Sequence, residues 1–448
     1  MVDRADTAYV NLWDMRVGAV LWNNDRELAS FEFDPSFLNK GLDPAPLTMS
    51  IEEARRGPAV FQFPTLAHKT FYGLPGMLAD SLPDKYGNSI IDAWLARQGR
   101  DPKSFSSVER LCYTGKRGMG ALEFTPVISD GANQSVPVEV QELVRLAHMV
   151  IHERSQLRTN FDHLEALTDI IRVGTSAGGA RPKAVIALND KTGKVRSGQV
   201  AAPAGFSYWI MKFDGVKDET LGDPAGYGRI EYAYYKMAKQ CDIDMTECRL
   251  YEEGGRAHFM TKRFDRTDKG EKIHMQSLCA MAHFDFNVAG GYAYEQAFQV
   301  MRQLRLPHGD AEQLFRRMVF NLVARNQDDH PKNIAFLMDK NGTWRLSPAF
   351  DMTYAHNPSG EWTHKHQMTV NGKREGFVYD DLMAVADGMN IKKGSRIIDQ
   401  VVDVVSRWKE FAEAEGVEKK QIEAISRTHR LLSKNKSYLR EQRGQISV

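Results

Sequence analysis

Three apolar-rich runs open the chain: AYVNLW, RVGAVLW and LASFEF, between residues 7 and 35. The polar stretches DMR and NNDRE separate them, so they read as three short strands joined by turns. Loops rich in Pro and Gly follow. NSIIDAWLARQG then repeats apolar residues at helical spacing and predicts a helix closed by Gly99. GMGALEF (118–124) reads as a strand entered through glycines.

From about residue 137 the period lengthens. VEVQELVRLAHMVIHER and FDHLEALTDIIRV place apolar residues at i, i+3 and i+4, predicting two helices. KAVIALND and FSYWIMKFD are strand-like, with the turn-rich KTGKVRSG between them. A helix is expected around IEYAYYKMAKQCD, then a strand at RAHFMTKRFDR. Beyond residue 275 helices dominate: EQAFQVMRQLRL, AEQLFRRMVFNLVARN, RIIDQVVDVVSRWKEFAEAEG and QIEAISRTHRLLS. The exception is a hairpin in IAFLMDKNGTWRLSPAF, with Asn341-Gly342 at its turn. The pattern predicts an α+β, bilobal chain, with a small mixed N-lobe packed on a helical C-lobe. A mixed α/β region (1–130) would precede an N-lobe-like segment (131–263) and a mostly helical C-lobe (264–448).

Composition narrows the function classes. With 59 Lys+Arg against 58 Asp+Glu, the net charge of +1 advertises neither nucleic acid nor a membrane. The sequence predicts no membrane span and no signal peptide, and a cytoplasmic protein is expected. Cys112, Cys241, Cys248 and Cys279 form no CxxC pair and are expected as reduced thiols. His356, His364 and His366 have no companion ligands in sequence and read as surface or loop residues. From Val417 onward, eight Lys/Arg face three Glu, as on a solvated helix face.

The acids in RNQDDHPKNIAFLMDKNGTWRLSPAFDMTYA carry the chemistry. Phosphoryl transfer needs a carboxylate beside the attacking hydroxyl, hard oxygen ligands for Mg²⁺, and cations or amides on the phosphates. In the kinase pattern the catalytic Asp precedes a metal-binding Asn by five positions. Asp328 and Asn333 have that spacing, and the hairpin then delivers Asp351. Asp328 is thus the expected acid/base, with Asn333 and Asp351 as Mg²⁺ ligands and Asp329 structural. The alternative is a polar loop before an ordinary hairpin. Lys212, inside YWIMKFD, and Glu231, nineteen residues on, suit the ATP lysine and its helix partner. Each alone also fits a bland role: a snorkelling edge-strand lysine, or a first-turn glutamate. GTSAGGARPKA (174–184) is the expected phosphate loop, since Gly174, Gly178 and Gly179 let backbone amides approach an anion. A flexible connector would look similar. A phosphate on Ser176, inside it, would repel the phosphates of ATP.

Over nearly its whole length the chain resembles the HipA-type toxin kinases. NQDDHPKN (326–333) is similar to that family's catalytic loop, SPAFDMT (347–353) to its metal-binding segment, TSAGGARPKAVIAL (175–188) to its phosphate loop and WIMKF (209–213) to its ATP-lysine strand. TKRFDR (261–266) resembles the hinge, which implies Lys262 and Phe264 near the adenine. GLPGMLADSLPDKYG (73–87), GMGALEF and QMTVNGKRE (367–375) also resemble the family and have no generic kinase role. The resemblance implies a Ser/Thr protein kinase, the toxin of a toxin–antitoxin pair, that uses ATP and Mg²⁺. It implies phosphorylation of an aminoacyl-tRNA synthetase, drug-tolerant dormancy, and autophosphorylation of Ser176 as an off-switch. It implies a HipB-like helix-turn-helix antitoxin as partner, with operator DNA bound through the complex. Asp351 is followed by Met-Thr, so the Phe-Gly switch of ordinary protein kinases is not expected. Two other readings stay open: a small-molecule kinase of the aminoglycoside or choline type, which His330 two residues after Asp328 would suit, and a catalytically silent corepressor bound to an antitoxin.

Overall fold

In the computed structural model, which describes residues 4–57, 60–128, 134–152, 174, 181–215 and 226–433, the three opening runs are strands. They are β1 (Thr7–Leu12), β2 (Met15–Asn23) and β3 (Leu28–Phe33). Alternate residues of β1, Ala8, Val10 and Leu12, are fully buried, as a one-sided sheet requires. The β1–β2 turn is Trp13-Asp14, both at positive φ (50° and 65°), as the twist of a two-residue hairpin demands. The Trp13 indole donates to the Lys272 carbonyl at 2.8 Å, which holds a large side chain in a conformation that favours glycine. With β4 (Val60–Phe61) and β5 (Leu122–Thr125) these strands form a sheet of order β4-β3-β2-β1-β5.

The second sheet has the order β7-β6-β8-β10-β9. Its middle is β6 (Lys183–Leu188), buried at every position, β8 (Ser207–Lys212) and β10 (Arg256–Lys262). Its edges are β7 (Val195–Ser197) and β9 (Cys248–Glu253). The helices Lys85–Arg97 and Val140–His152 cover it. Ile90, Leu95, Leu143 and Ala147 share a core with Ile186, Trp209, Met211 and Met260. Gly99, at φ 72°, follows the first of these helices, as its sequence predicts. A third ladder pairs β11 (His274–Ser277) with β12 (Ala335–Met338), whose hairpin partner is β13 (Trp344–Leu346).

The chain divides into two compact units, each assembled from three stretches. Residues 1–228, 246–283 and 335–344 form the first; 229–245, 284–334 and 345–448 form the second. The second is helical. Helix His308–Val323 is buried along most of its last three turns and packs on helix Gly394–Ser406.

Sequence and structure part in several places. KTGKVRSG holds β7 rather than only turns, and β9 and β11 have no counterpart in the expected elements. β7 and β9 are edge strands with mixed burial and so lack an apolar run. The single helix expected over 396–416 breaks at Arg407 into Gly394–Ser406 and Trp408–Ala414. The break seats Trp408, 1% exposed, against Tyr234 with ring centroids 5.3 Å apart. The helix expected at FDHLEALTDIIRV lies outside the described residues. Among the described residues no helix is long and apolar enough to cross a membrane. The four cysteines are buried, and none forms a disulfide among the described residues.

Candidate active site

The second unit places the acid-rich segment directly after its buried helix. Helix His308–Val323 ends at Ala324, and Arg325 turns the chain at φ 62°. Residues 325–327 then pair with the segment after the hairpin. Gln327 N–H donates to the Ala355 carbonyl (2.9 Å), and Ala355 N–H to the Arg325 carbonyl (3.1 Å). Asn326 ties the arrangement together: its Nδ2 donates to Asn321 Oδ1 (3.0 Å) and to the Asp351 carbonyl (3.2 Å). Asp351 has φ 53°, a left-handed conformation that Asp tolerates better than most residues. The two sequence-distant carboxylate segments are therefore joined by backbone and amide hydrogen bonds.

Within the loop, Pro331 starts a short 3₁₀ turn ending at Asn333, whose Nδ2 donates to the Asp328 carbonyl at 2.7 Å. That bond closes the five-residue spacing into a ring. It uses the amide nitrogen of Asn333, which leaves the amide oxygen as a hard donor. One amide oxygen and the Asp351 carboxylate fit what Mg²⁺ takes from proteins, which is one or two such ligands beside phosphate oxygens and water.

The adjacent carboxylates face different surroundings. Asp328 is 42% exposed, and its Oδ1 accepts the Trp362 indole N–H at 2.5 Å. Asp329 is buried. Its Oδ1 accepts the Gln367 N–H (2.8 Å), and its Oδ2 accepts Tyr294 O–H (3.1 Å) and His366 Nδ1 (2.8 Å). Arg430 Nη1 lies 2.8 Å from His366 Nε2. A guanidinium can only donate, so Nε2 accepts and the ring proton sits on Nδ1, pointing at Asp329. Burial alone would raise the Asp329 pKa, but His366, the Gln367 N–H and the Tyr294 hydroxyl hold it below the usual carboxylate range. His366 lies in a loop, as one half of its reading had it, but is fully buried, which corrects the surface half. Residues 362–367 clamp both acids, and Gln367 also donates its Nε2 to the Trp362 carbonyl. Glu231 is in this unit too, 3% exposed on helix Tyr227–Gln240.

The first unit carries the remaining candidates. Lys212 ends β8, directly opposite Lys183 on β6 and Phe259 on β10, so the three side chains share one face. Lys212 Nζ lies 5.7 Å from the Phe259 ring centroid. Two lysines directly opposite repel, and a carboxylate offsets this: Asp84 Oδ2 is 3.6 Å from Lys183 Nζ, both side chains being under a tenth exposed. Lys183 and Asp84 were not singled out in the sequence, because only strand register reveals that Lys183 faces Lys212. Gly174 is buried, while Ser176, Gly178 and Gly179 lie outside the described residues. Lys262 Nζ pairs with Asp268 at 2.8 Å, and its N–H donates to the Glu247 carbonyl. Phe264 is half-buried beyond the end of β10.

The motifs without a generic kinase role acquire structural ones. In the 73–87 segment, Asp80 accepts from both the N–H (2.6 Å) and hydroxyl (2.8 Å) of Ser277, which in turn caps helix Leu278–Ala282. Asp84 caps helix Lys85–Arg97 through its other oxygen. In GMGALEF, Gly120 N–H donates to Asp265 at 2.7 Å, and the Gly118 and Gly120 carbonyls accept from Arg266. QMTVNGKRE supplies the Gln367 N–H on Asp329.

Comparison with known proteins fits this layout. Residues 8–125 match the family description "HipA N-terminal domain", and residues 175–409 match "HipA-like C-terminal domain". The chain belongs to the HipA family. The structure superposes on HipA from the Shewanella oneidensis MR-1 complex of HipA, HipB and operator DNA with TM-score 0.65, covering 94% of each chain at 15% identity. At that identity the likeness establishes the fold: a HipA-like mixed α/β architecture with antiparallel sheets. Among curated relatives, "Putative kinase Y4dM" of Sinorhizobium fredii is 26% identical over 260 residues, 54% of this chain and 59% of that one. "Putative kinase Y4mE" of the same organism is 25% identical over 126 residues, 26% of this chain. The matched stretches span 30% of the latter and 59% of the former, under two thirds of each relative.

Proposed function

We propose that this protein is an ATP- and Mg²⁺-dependent Ser/Thr protein kinase with a bilobal kinase-like plan, the toxin of a HipBA-like toxin–antitoxin system. The observation that carries the reading is the closed loop Asp328–Asn333, tied through Asn326 to Asp351. Asp328 accepts the proton of the attacking hydroxyl as the oxygen–phosphorus bond forms and the bond to ADP breaks. Asn333 and Asp351 hold Mg²⁺, which when bound screens the phosphate charge. Lys212 meets the phosphates, and Glu231 is its expected helix partner. Gly174, Gly178 and Gly179 form the phosphate loop, and Lys262 and Phe264 flank the adenine. Ser176 is the autophosphorylated residue, and its phosphate occupies the place of the ATP phosphates. The target is a translation component of the aminoacyl-tRNA synthetase class. The partner is a helix-turn-helix antitoxin that carries the pair onto operator DNA; the antitoxin and DNA in the HipA complex support this.

The test is intact-mass and peptide mass spectrometry of the full chain before and after Mg²⁺-ATP, with Asp328→Gln alongside. The expected result is one added phosphate on Ser176 in the wild type and none in the variant. Equal phosphorylation of both would overturn the assignment of Asp328.

A further inference from the structure

The carboxylate that the proposed chemistry needs is held by a side chain to which that chemistry gives no role. Trp362 donates its indole N–H to Asp328 Oδ1 at 2.5 Å. His330 Nε2 lies 3.8 Å from the same oxygen. Both contacts fall on Oδ1. Trp362 is itself placed: its ring stands 6.3 Å from that of His330, and its main-chain carbonyl accepts from Gln367 Nε2. Gln367 is anchored in turn on Asp329.

We propose that Trp362 is a positioning residue for Asp328, an inference that rests on the phosphotransferase reading. A half-exposed aspartate can rotate about both side-chain torsions and offer either oxygen. A rigid indole, which can only donate, fixes Oδ1 and leaves Oδ2 to take the hydroxyl proton. The gain is in orientation. A base already set for the reacting oxygen loses no rotational freedom at the transition state. Because residues 362–367 also hold Asp329, the segment sets both the side chain of the base and the backbone that follows it. The group transfer is unchanged: the acceptor oxygen bonds to the γ-phosphorus, ADP leaves, and the proton goes to Asp328.

Two measurements on the full-length protein test this. In ¹H–¹⁵N spectra the Trp362 indole resonance, identified by its loss in Trp362→Phe, is expected downfield and should move on Asp328→Asn. In steady-state assays Trp362→Phe, which keeps the ring but lacks the N–H, is expected to lower kcat about tenfold with KM for ATP unchanged. An unchanged or raised kcat in Trp362→Phe would overturn the proposal. So would an indole resonance indifferent to Asp328→Asn, which can be read even if Trp362→Phe fails to fold. Absence of any phosphoryl transfer by the wild type would remove the kinase reading and this proposal together. Transfer unimpaired by Trp362→Phe would remove this proposal alone.

Discussion

Each unit holds an aspartate whose side chain is wholly buried, and the two are stabilised by opposite means. In the first, Asp265 lies among cations: Arg263 binds it through Nε (2.8 Å) and Nη2 (2.7 Å), and Arg266 through Nη1 (2.8 Å). Burial would raise its pKa, but the two guanidinium groups and the Gly120 N–H drive it far below the carboxylate range. In the second, Asp329 has a hydroxyl, a backbone amide and a neutral imidazole, with the Arg430 cation one step behind. The first arrangement is a charge cluster that cross-links the end of β10 to the GMGALEF segment. The second is a chain of dipoles with a fixed proton order. A charge cluster tolerates small shifts of geometry but not loss of its counterion. A dipole chain tolerates loss of charge poorly only because each donor is aimed at one acceptor.

The largest effect expected from this contrast is at Asp265. Asp265→Ala strands two buried guanidinium groups and should cost about 3–5 kcal/mol in denaturant unfolding. A loss below about 1 kcal/mol would erase the distinction. Asp329→Asn should cost less, about 1–3 kcal/mol. The new amide presents N–H to Tyr294 and His366, so the imidazole must move its proton to Nε2, where it meets Arg430. A nitrogen-resolved spectrum of His366 that keeps its proton on Nδ1 in this variant would break the dipole picture.

The smallest effect concerns acid. His258 and His274 of the first unit are buried and held down to about 4 by burial, the first despite Glu253 nearby. His429 of the second is held to about 3, by burial and then by Arg325. The unfolded chain binds protons on such histidines below about 6.5. Their contribution is therefore present above that pH and drains as pH falls toward 4 in the first unit and 3 in the second. The melting temperature should decline over this window, and His274→Gln should flatten the slope. A melting temperature constant from pH 6.5 to 4 would contradict the burial of these rings.

The division between what the sequence reveals and what it hides follows the range of the interactions. β1 to β3, the Lys85–Arg97 helix and the Asn341-Gly342 hairpin are legible because local periodicity and turn chemistry specify them. β7 and β9 are not, since edge strands with half-exposed positions leave no apolar pattern. In the candidate site, the Asp328–Asn333 spacing is visible because one hydrogen bond five residues long closes it. The supports of Asp329 come from Tyr294, His366 and Arg430, separated by dozens of residues, and nothing local marks His366 as buried. Lys183 is hidden for the same reason, because its partners Lys212 and Asp84 are set by register and packing.

The order in which the chain leaves the ribosome gives the divided architecture a further meaning. The first unit is built from three separate stretches, the last being residues 335–344, and β11 waits for β12 from that stretch. Its two large sheets can pair once residue 262 has emerged, but the β11 ladder must remain open until residues 335–338 have followed. The second unit, whose segments interleave with these, closes later still, once His429 and Arg430 have emerged to bond to Tyr234 and His366. For a protein proposed to arrest translation, the machinery around Asp328 is thus completed only after the segments of the first unit have all been made.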